Sequence, residues 1–503
     1  MIDYQTLKSG TDIRGRALGE DAPLSRETAL CIGGAFITWL SEKTGRPPQE
    51  LTVSIGRDSR VTGPDLLAAC AEGMAREGAR VWDFGLCTTP AMFMSLLTEG
   101  FKADASIMVT ASHHPMDRNG FKFFLPKGGL SGLDISMILH TAGTTAPVER
   151  PHAPIEKRAF LPVYKKQLQE RVRSGLGTEE ACPLVGLHVV VDAGNGAGGF
   201  YEELLRELGA WTEGSQFLTP DGRFPNHITN PENAEAMASV SRAVVSAGAD
   251  LGVIFDADCD RAAIVDGDGR EINRNRLIAL ISAVLLDKTP GATIVTDSVT
   301  SSGLAEFISD WGGRHYRYKR GYRNVIDEAI RLNESGIDCP LAIETSGHAA
   351  FRENHFLDDG MYLVTVLLVQ AMRMKRDGKA LSCLLEGLKE PIESAELRLN
   401  IKAADFREAG KALITRVMDH ANFAPDWHIA PDNREGVRIA FDLNGGLNNA
   451  WFLLRLSVHD PVLPLNCESD VEGGVKQMLT LLLEVIGDTE DTDISPIQNY
   501  IKQ

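Results

Sequence analysis

The sequence predicts an α/β protein of several domains: three α/β units of similar size in succession, then a smaller α+β unit. Three observations predict this. The chain has 503 residues, more than one hydrophobic core normally serves. Through residue 388, short apolar runs alternate with helical stretches of about ten to fifteen residues, the pattern of βαβ units and mostly parallel sheets. Beyond residue 389 the alternation gives way to strand-like segments at 434–442 and 451–457, with helices near 403–420 and 472–485.

Taken in order, residues 11–16 read as a short polar and basic loop, Thr-Asp-Ile-Arg-Gly-Arg. An amphipathic helix is expected at 27–41, a strand at 51–55 and a turn rich in guanidinium at 56–60. A helix over 63–78, a strand over 80–84 and a further helix lead to the strand that ends at Ser112, after which Asn119-Gly120 reads as a tight turn. The composition shifts at 142–155, read as a linker that sets the first domain at 1–150. The second domain, 151–270, has a charged helix at 157–175, strands at 187–191 and 251–255, the loop 256–261 and a hairpin around 266–269. The third, 271–388, carries strands at 292–296, 315–319 and 341–343 and a long helix at 359–376, and the fourth is 389–503. Ligands in such folds sit at the C-terminal ends of parallel strands, so the loops there are the places to search for chemistry.

The composition, 43% hydrophobic and 24% charged, is that of an ordinary globular protein. No apolar run reaches the roughly 18 residues of a membrane span, and Met1-Ile2-Asp3-Tyr4 lacks the basic and apolar regions of a secretory signal. Eight cysteines without a CxxC pair fit reduced thiols in a cytoplasm. The net charge of −18 argues against nucleic acid and against a membrane surface as partners. It also demands that any anionic substrate meet a local cluster of basic residues.

Such residues do cluster in the candidate loops. The apolar run from Ile107 ends at Ser112, flanked by His113, His114 and Pro115 and followed by Lys122. A hydroxyl presented there suits a phosphoryl carrier; the plainer alternative is a serine that caps a helix. Asp256, Asp258 and Asp260, at alternate positions after an apolar strand and next to Arg261, cannot all be buried as charges without a cation. Their oxygens suit Mg²⁺, and an EF-hand is excluded because Arg261 and Gly267 hold its sixth and twelfth positions. Lys319-Arg320-Gly321-Tyr322-Arg323 is a basic turn suited to phosphate. Glu344-Thr345-Ser346-Gly347-His348 offers the donors and acceptors that sugar hydroxyls require. Arg455, Ser457 and His459 lie on a turn closed by Pro461, where guanidinium, hydroxyl and N–H groups can hold phosphate. Gly194, Gly196 and Gly199 match a dinucleotide-binding pattern. Asp192, however, would place a negative charge where pyrophosphate belongs, so these glycines are read as close strand–helix packing.

Together these loops resemble those of the α-D-phosphohexomutases, the superfamily of phosphomannomutases, phosphoglucomutases and phosphoglucosamine mutases. Ser112 lies in a near match to the family's T-A-S-H-N-P phosphoserine loop, with His114 in place of asparagine. Asp256, Asp258, Asp260 and Arg261 match its D-x-D-x-D-R metal loop, and Glu344, Ser346, Gly347 and His348 its E-x-S-G-H sugar loop. Arg455, Ser457 and Pro461 match its R-x-S-[GN]-T-x-P phosphate loop, in which Val458 and His459 depart from the pattern. Asp12-Ile13-Arg14-Gly15 is similar to a segment near the N-terminus of many members.

The resemblance spans essentially the whole chain. It implies three similar α/β domains with mixed sheets plus a C-terminal α+β domain around a central cleft. It further implies one Mg²⁺ per chain, a phosphosugar substrate, and a hexose 1,6-bisphosphate as activator. Ser112, His113, Lys122 and Arg14 would be catalytic, with the metal on Asp256, Asp258, Asp260 and Ser112. Substrate would be bound by Arg261, Lys319, Arg320, Gly321, Tyr322, Arg323, Glu344, Ser346 and His348, and its phosphate by Arg455, Ser457 and His459. The expected reaction interconverts hexose 1- and 6-phosphates of mannose or glucose. The alternatives are a phosphoglucosamine mutase, a mutase-like binding protein that has lost turnover through Val458 and His459, and, from another class, an oxidoreductase using the glycine loop at 194–199.

Overall fold

The computed structural model describes residues 2–145, 153–457 and 460–502. Residues 146–152 of the expected linker, and Val458 and His459 of the expected phosphate loop, lie outside the described residues. The chain forms two compact units, Met1–Leu277 with Ser346–Leu384, and Ile278–Thr345 with Leu385–Gln503. It crosses between them after residues 277, 345 and 384.

The first sheet belongs to the first unit. It contains β1 (Lys8–Ser9), β2 (Asp12–Arg16), β3 (Thr52–Arg57), β4 (Arg80–Leu86), β5 (Ala105–Val109), β6 (Arg118–Leu125), β7 (Gly128–Gly129) and β8 (Ile155–Lys157). The order is β1-β2-β6-β5-β3-β4-β8, with β7 paired to β6. Strands β5, β3, β4 and β8 run parallel, while β6, β2 and β1 are antiparallel additions. The sheet is therefore mixed, and β8 carries it past residue 150, beyond the expected end of the first domain.

Four helices flank this sheet: α1 (Arg26–Thr44), α2 (Gly63–Arg76), α3 (Thr89–Leu97) and α4 (Gly132–Thr144). The side chain of Ser25 caps the start of α1, and Gly45, at φ 69°, closes it with its N–H on Ser41 O. Helices α1 and α2 cross in close contact: a Cβ on Gly33 would lie 2.1 Å from Cys70 O, and one on Gly73 would lie 2.0 Å from Leu30 O. Phe36, Ile55, Met74, Ile107 and Phe121 are fully buried in the core between them and the sheet.

Two local readings are corrected here. Residues 12–16 are not a loop but β2, whose Arg14 stands opposite Gly120 of β6. Asn119-Gly120 is not a tight turn but the interior of β6. A Cβ on Gly120 would lie 2.2 Å from Ile13 O, so strand pairing rather than a turn requires this glycine.

The second sheet, also in the first unit, contains β9 (Val189–Asp192), β10 (Leu251–Phe255), β11 (Ala262–Asp266) and β12 (Glu271–Ile272), in the order β12-β11-β10-β9. Around it lie α5 (Leu161–Leu176), α6 (Phe200–Glu207) and α7 (Ala234–Ala247). Helix α8 (Arg274–Leu286) leads the chain into the second unit. There β13 (Thr293–Thr296) pairs in parallel with β14 (Arg314–Arg317) and β15 (Leu341–Ile343), and α9 (Ser302–Asp310) and α10 (Tyr322–Glu334) pack on these strands.

The chain then returns to the first unit through β16 (Ala349–Phe351) and α11 (Gly360–Arg376). Helix α11 is apolar on nearly every face and packs against α5, β10 and β11, which is why residues 346–384 cluster with the first unit. Gly175 of α5 permits this approach, since a Cβ there would meet Val369 at 2.8 Å. The last stretch, in the second unit, is an antiparallel sheet in the order β17-β21-β20-β19-β18. Its strands are β17 (Glu393–Asn400), β18 (His428–Ile429), β19 (Val437–Phe441), β20 (Ala450–Leu454) and β21 (Val462–Ser469). Helices α12 (Phe406–Phe423), α13 (Gly474–Ile486) and α14 (Ser495–Lys502) accompany it, with Phe441, Phe452 and Leu482 in its core. This is the expected α+β domain.

Candidate active site

In the first unit the serine loop follows β5 and is built around one buried cation. Arg60 is fully buried. Its Nη1 donates to Pro115 O at 2.8 Å and Arg118 O at 2.9 Å, and its Nη2 to Ser112 O at 2.5 Å and His114 O at 2.7 Å. Its Nε pairs with Asp58 Oδ2 at 3.2 Å. That carboxylate also accepts from Thr110 Oγ1 at 2.7 Å, and Thr110 Oγ1 in turn accepts from Ser112 N at 2.9 Å. Burial pushes the Asp58 carboxyl up to about 6 against the opposing charge of Arg60. Ser112 is held at φ 51°, a left-handed conformation uncommon for serine, by these bonds on either side. Arg60 had no place among the expected site residues; the only sequence signal for it was the basic turn at 56–60.

The Ser112 hydroxyl donates to Asp256 Oδ2 at 3.0 Å and accepts from Arg261 Nη2 at 2.8 Å. Arg261 Nε also bonds Asp256 Oδ2, at 3.1 Å, and Arg261 Nη2 meets His113 Nδ1. Burial and the charges of Arg261, His114 and Arg14 push the His113 imidazole far below its usual pKa, so it is neutral. Arg14 itself is paired with Asp12 at 2.8 Å. Lys122, reaching in from β6, donates to Asp258 Oδ2 at 3.0 Å and to Asp260 Oδ2. Burial would lower its pKa, but Asp258 and Asp260 outweigh that and hold it well above the usual lysine value. His348 bonds Asp358 and lies 3.9 Å from Asp260 Oδ1. Burial opposes its charge, yet Asp358 and Asp260 raise it to about 9.

Asp256, Asp258 and Asp260 are at most 2% exposed, and their ligand oxygens lie within 4.8 Å of one another. Asp258 Oδ1 and Asp260 Oδ1 are buried without any hydrogen-bond partner. Three converging carboxylates with two orphaned oxygens fit a hard divalent cation. Gly347 completes the wall: at φ 92°, a Cβ there would stand 2.6 Å from Ala262 O. Gly347→Ala should lower stability by about 2 kcal/mol or more through backbone strain and this clash. A melting temperature equal to wild type would refute that.

In the second unit, Arg320 and Gly321 lead into α10. Glu344 Oε1 accepts from Gly321 N at 2.6 Å, and Glu435 Oε2 accepts from Arg320 N at 3.1 Å. Arg320 Nε lies 3.9 Å from Asp297, and Arg323 pairs with Asp327 one turn along the helix. Tyr322 is the first residue of α10, and Lys319 is exposed. Ser346 is buried just after the crossing into the first unit. Arg455 follows β20, and burial lowers its pKa against the charge of Glu435. The Ser457 hydroxyl accepts from Asp460 N at 3.3 Å, while His459 lies outside the described residues.

The glycine loop at 194–199 is packing, as its acidic neighbour implied. Asp192 is buried in an ion pair with His227 at 3.0 Å. Cβ atoms on Gly196 and Gly199 would lie 2.8 Å from Ala257 Cα and 2.0 Å from Leu218 O. A buried charged pair and filled space leave no cradle for pyrophosphate, so the oxidoreductase alternative is set aside. Burial opposes the His227 charge, but Asp192 outweighs it and raises the pKa. The stability from this pair is therefore whole below about pH 6.5 and fades as pH rises through the raised value. Urea midpoints should fall between pH 6 and 9 in wild type more than in Asp192→Asn; parallel curves would contradict this.

Comparison with known proteins divides the chain into successive stretches instead of the two compact units. Residues 6–140, 163–269 and 273–391 match the family descriptions phosphoglucomutase/phosphomannomutase alpha/beta/alpha domains I, II and III. A phosphomannomutase/phosphoglucomutase of Pseudomonas syringae pv. tomato is 31% identical over 475 residues, covering 94% of this chain and 93% of that one. A phosphoglucomutase of Neisseria gonorrhoeae is 29% identical over 482 residues, covering 94% of this chain and 95% of that one. The crystal structure of a phosphoglucomutase/phosphomannomutase family protein from Burkholderia thailandensis superposes with a TM-score of 0.80 at 28% identity, covering 98% of this chain and 100% of that one.

Proposed function

Since the chain belongs to the phosphoglucomutase/phosphomannomutase family of intramolecular phosphotransferases, we propose that it interconverts the 1- and 6-phosphates of glucose and mannose through phosphorylated Ser112. One observation carries the reading: the buried Ser112 hydroxyl lies within 3.0 Å of both the Asp256 carboxylate and the Arg261 guanidinium, beside two carboxylates with orphaned oxygens. Asp256, Asp258 and Asp260, together with Ser112, would hold the cofactor Mg²⁺. When bound, it offsets the charge of the phosphoryl group.

The transfer breaks the bond between Ser112 Oγ and phosphorus and forms one from phosphorus to the free hydroxyl of a hexose monophosphate. That hydroxyl loses its proton as the new bond forms and Ser112 Oγ gains one as it departs, with His113 and Lys122 beside the serine to relay it. Arg261, already donating to Ser112 Oγ, stabilises the departing oxygen. Lys122 keeps a positive charge beside the reacting groups, and the return transfer runs the same proton relay backwards. The bisphosphate turns round and hands its other phosphoryl to Ser112, so a hexose 1,6-bisphosphate also activates unphosphorylated protein. Glu344, Ser346 and His348 hold ring hydroxyls, and Arg320 and Arg455 hold the non-reacting phosphate. The free thiols of all eight cysteines accord with a cytoplasmic place.

Incubation with Mg²⁺ and glucose 1,6-bisphosphate, followed by peptide mass spectrometry, tests this reading. Phosphate is expected on Ser112 and should leave on adding glucose 6-phosphate. An unmodified Ser112 in Mg²⁺-binding protein would sink it.

A further inference from the structure

The turn at 432–436 reaches across the second unit to the ends of β13 and β14. Glu435 Oε2 accepts from Ser298 Oγ at 2.6 Å and from the backbone N–H of Arg320 at 3.1 Å. Asp432 pairs with Arg317, and Arg438 Nη1 donates to Ser298 O at 3.0 Å. Gly436, at φ 55°, presses the turn onto the end of β20, where a Cβ would lie 2.2 Å from Leu454 O and 2.8 Å from Arg455 Cα. The Glu435 carboxylate is thereby set beside Arg320 and is the opposite charge that acts most on Arg455. Arg455 Nε is buried without a hydrogen-bond partner.

A backbone N–H one residue ahead of the cap of α10, a hydroxyl, and guanidinium groups nearby are the donors that a phosphate monoester also takes. We propose that Glu435 is an internal counter-anion at the phosphate-binding end of the second unit: it holds donors that substrate phosphate uses, and so sets phosphate affinity by competing with it. This rests on the reading of Arg320 and Arg455 as the phosphate grip. A residue that merely braced the Arg320 loop would have the opposite effect when neutralised, because the grip would loosen.

The test is calorimetric titration of the metal-free full chain with inorganic phosphate, comparing wild type with Arg455→Ala, Glu435→Gln and, as a charge-matched control, Glu484→Gln on the exposed side of α13. The Arg455-dependent binding should be lost in Arg455→Ala. It should tighten by about two- to fivefold in Glu435→Gln, the scale of one half-exposed charge contact, and stay unchanged in Glu484→Gln. Glu435→Ala, which removes the carboxylate outright and leaves every donor in place, should also tighten binding and serves if Glu435→Gln does not fold. Unchanged or weaker binding in Glu435→Gln, with Arg455→Ala still effective, overturns the proposal alone. No effect of Arg455→Ala overturns the grip as well.

Discussion

Ser112→Ala should reduce mutase turnover by at least about 10⁴-fold, the scale seen when an attacking side chain is removed from an enzyme that works through a covalent intermediate. The alanine methyl cannot carry a phosphoryl group. Thr110 Oγ1 is bonded to Asp58 and to the loop backbone, the His113 Nδ1 is engaged by Arg261, and the remaining neighbours are carboxylates, an ammonium and a guanidinium already paired with one another. The change should cost little stability, since the fixed points of the loop are its carbonyls, which Arg60 binds. The measurement is a coupled assay from glucose 1-phosphate to glucose 6-phosphate, with melting recorded alongside. Turnover within tenfold of wild type in the folded variant would refute the phosphoserine scheme.

Arg60→Met should be the most damaging change to the scaffold, at about 3–5 kcal/mol. It removes a cation that is fully buried and bonded to four carbonyl oxygens and to Asp58, and leaves those acceptors unsatisfied in the interior. The four carbonyls belong to residues 112, 114, 115 and 118, so activity should fall with stability as the serine loses its set position. Chemical denaturation gives the first number and the coupled assay the second. A variant within 1 kcal/mol of wild type would mean that water or repacking replaces the guanidinium, and that the loop holds itself.

Arg60 also marks where reading the sequence stops short. Three aspartates at alternate positions, or a serine among histidines at the end of an apolar strand, announce chemistry through residue type and local spacing alone. Gly56-Arg57-Asp58-Ser59-Arg60 looks like a solvated turn, and only carbonyls 52 to 58 positions away reveal a buried arginine. The same dependence on distant partners turned residues 12–16 from an expected loop into β2, whose partners lie at 118–121. It also placed Asn119-Gly120 inside a strand, against the strong local turn preference of that pair. The helices flanking the sheets were legible because apolar spacing and caps are local. The return of α11 to the first unit was not, because an all-round apolar helix does not declare which sheet it will cover.

The three passages between the units bear on what a single proteolytic nick would do. Cleavage between Leu384 and Leu385 frees the final antiparallel sheet as a fragment, yet residues 278–345 of the same unit stay on the other piece. The two pieces share Arg317 with Asp432, Ser298 with Glu435, and Arg438 with the Ser298 carbonyl. With the covalent tether gone, these contacts, the Lys389–Glu306 pair, the bond from Arg320 N to Glu435 and the apolar surface around them must reunite the unit, and the effective concentration that the intact chain supplies is lost. The nicked protein becomes a split pair whose recovery depends on dilution.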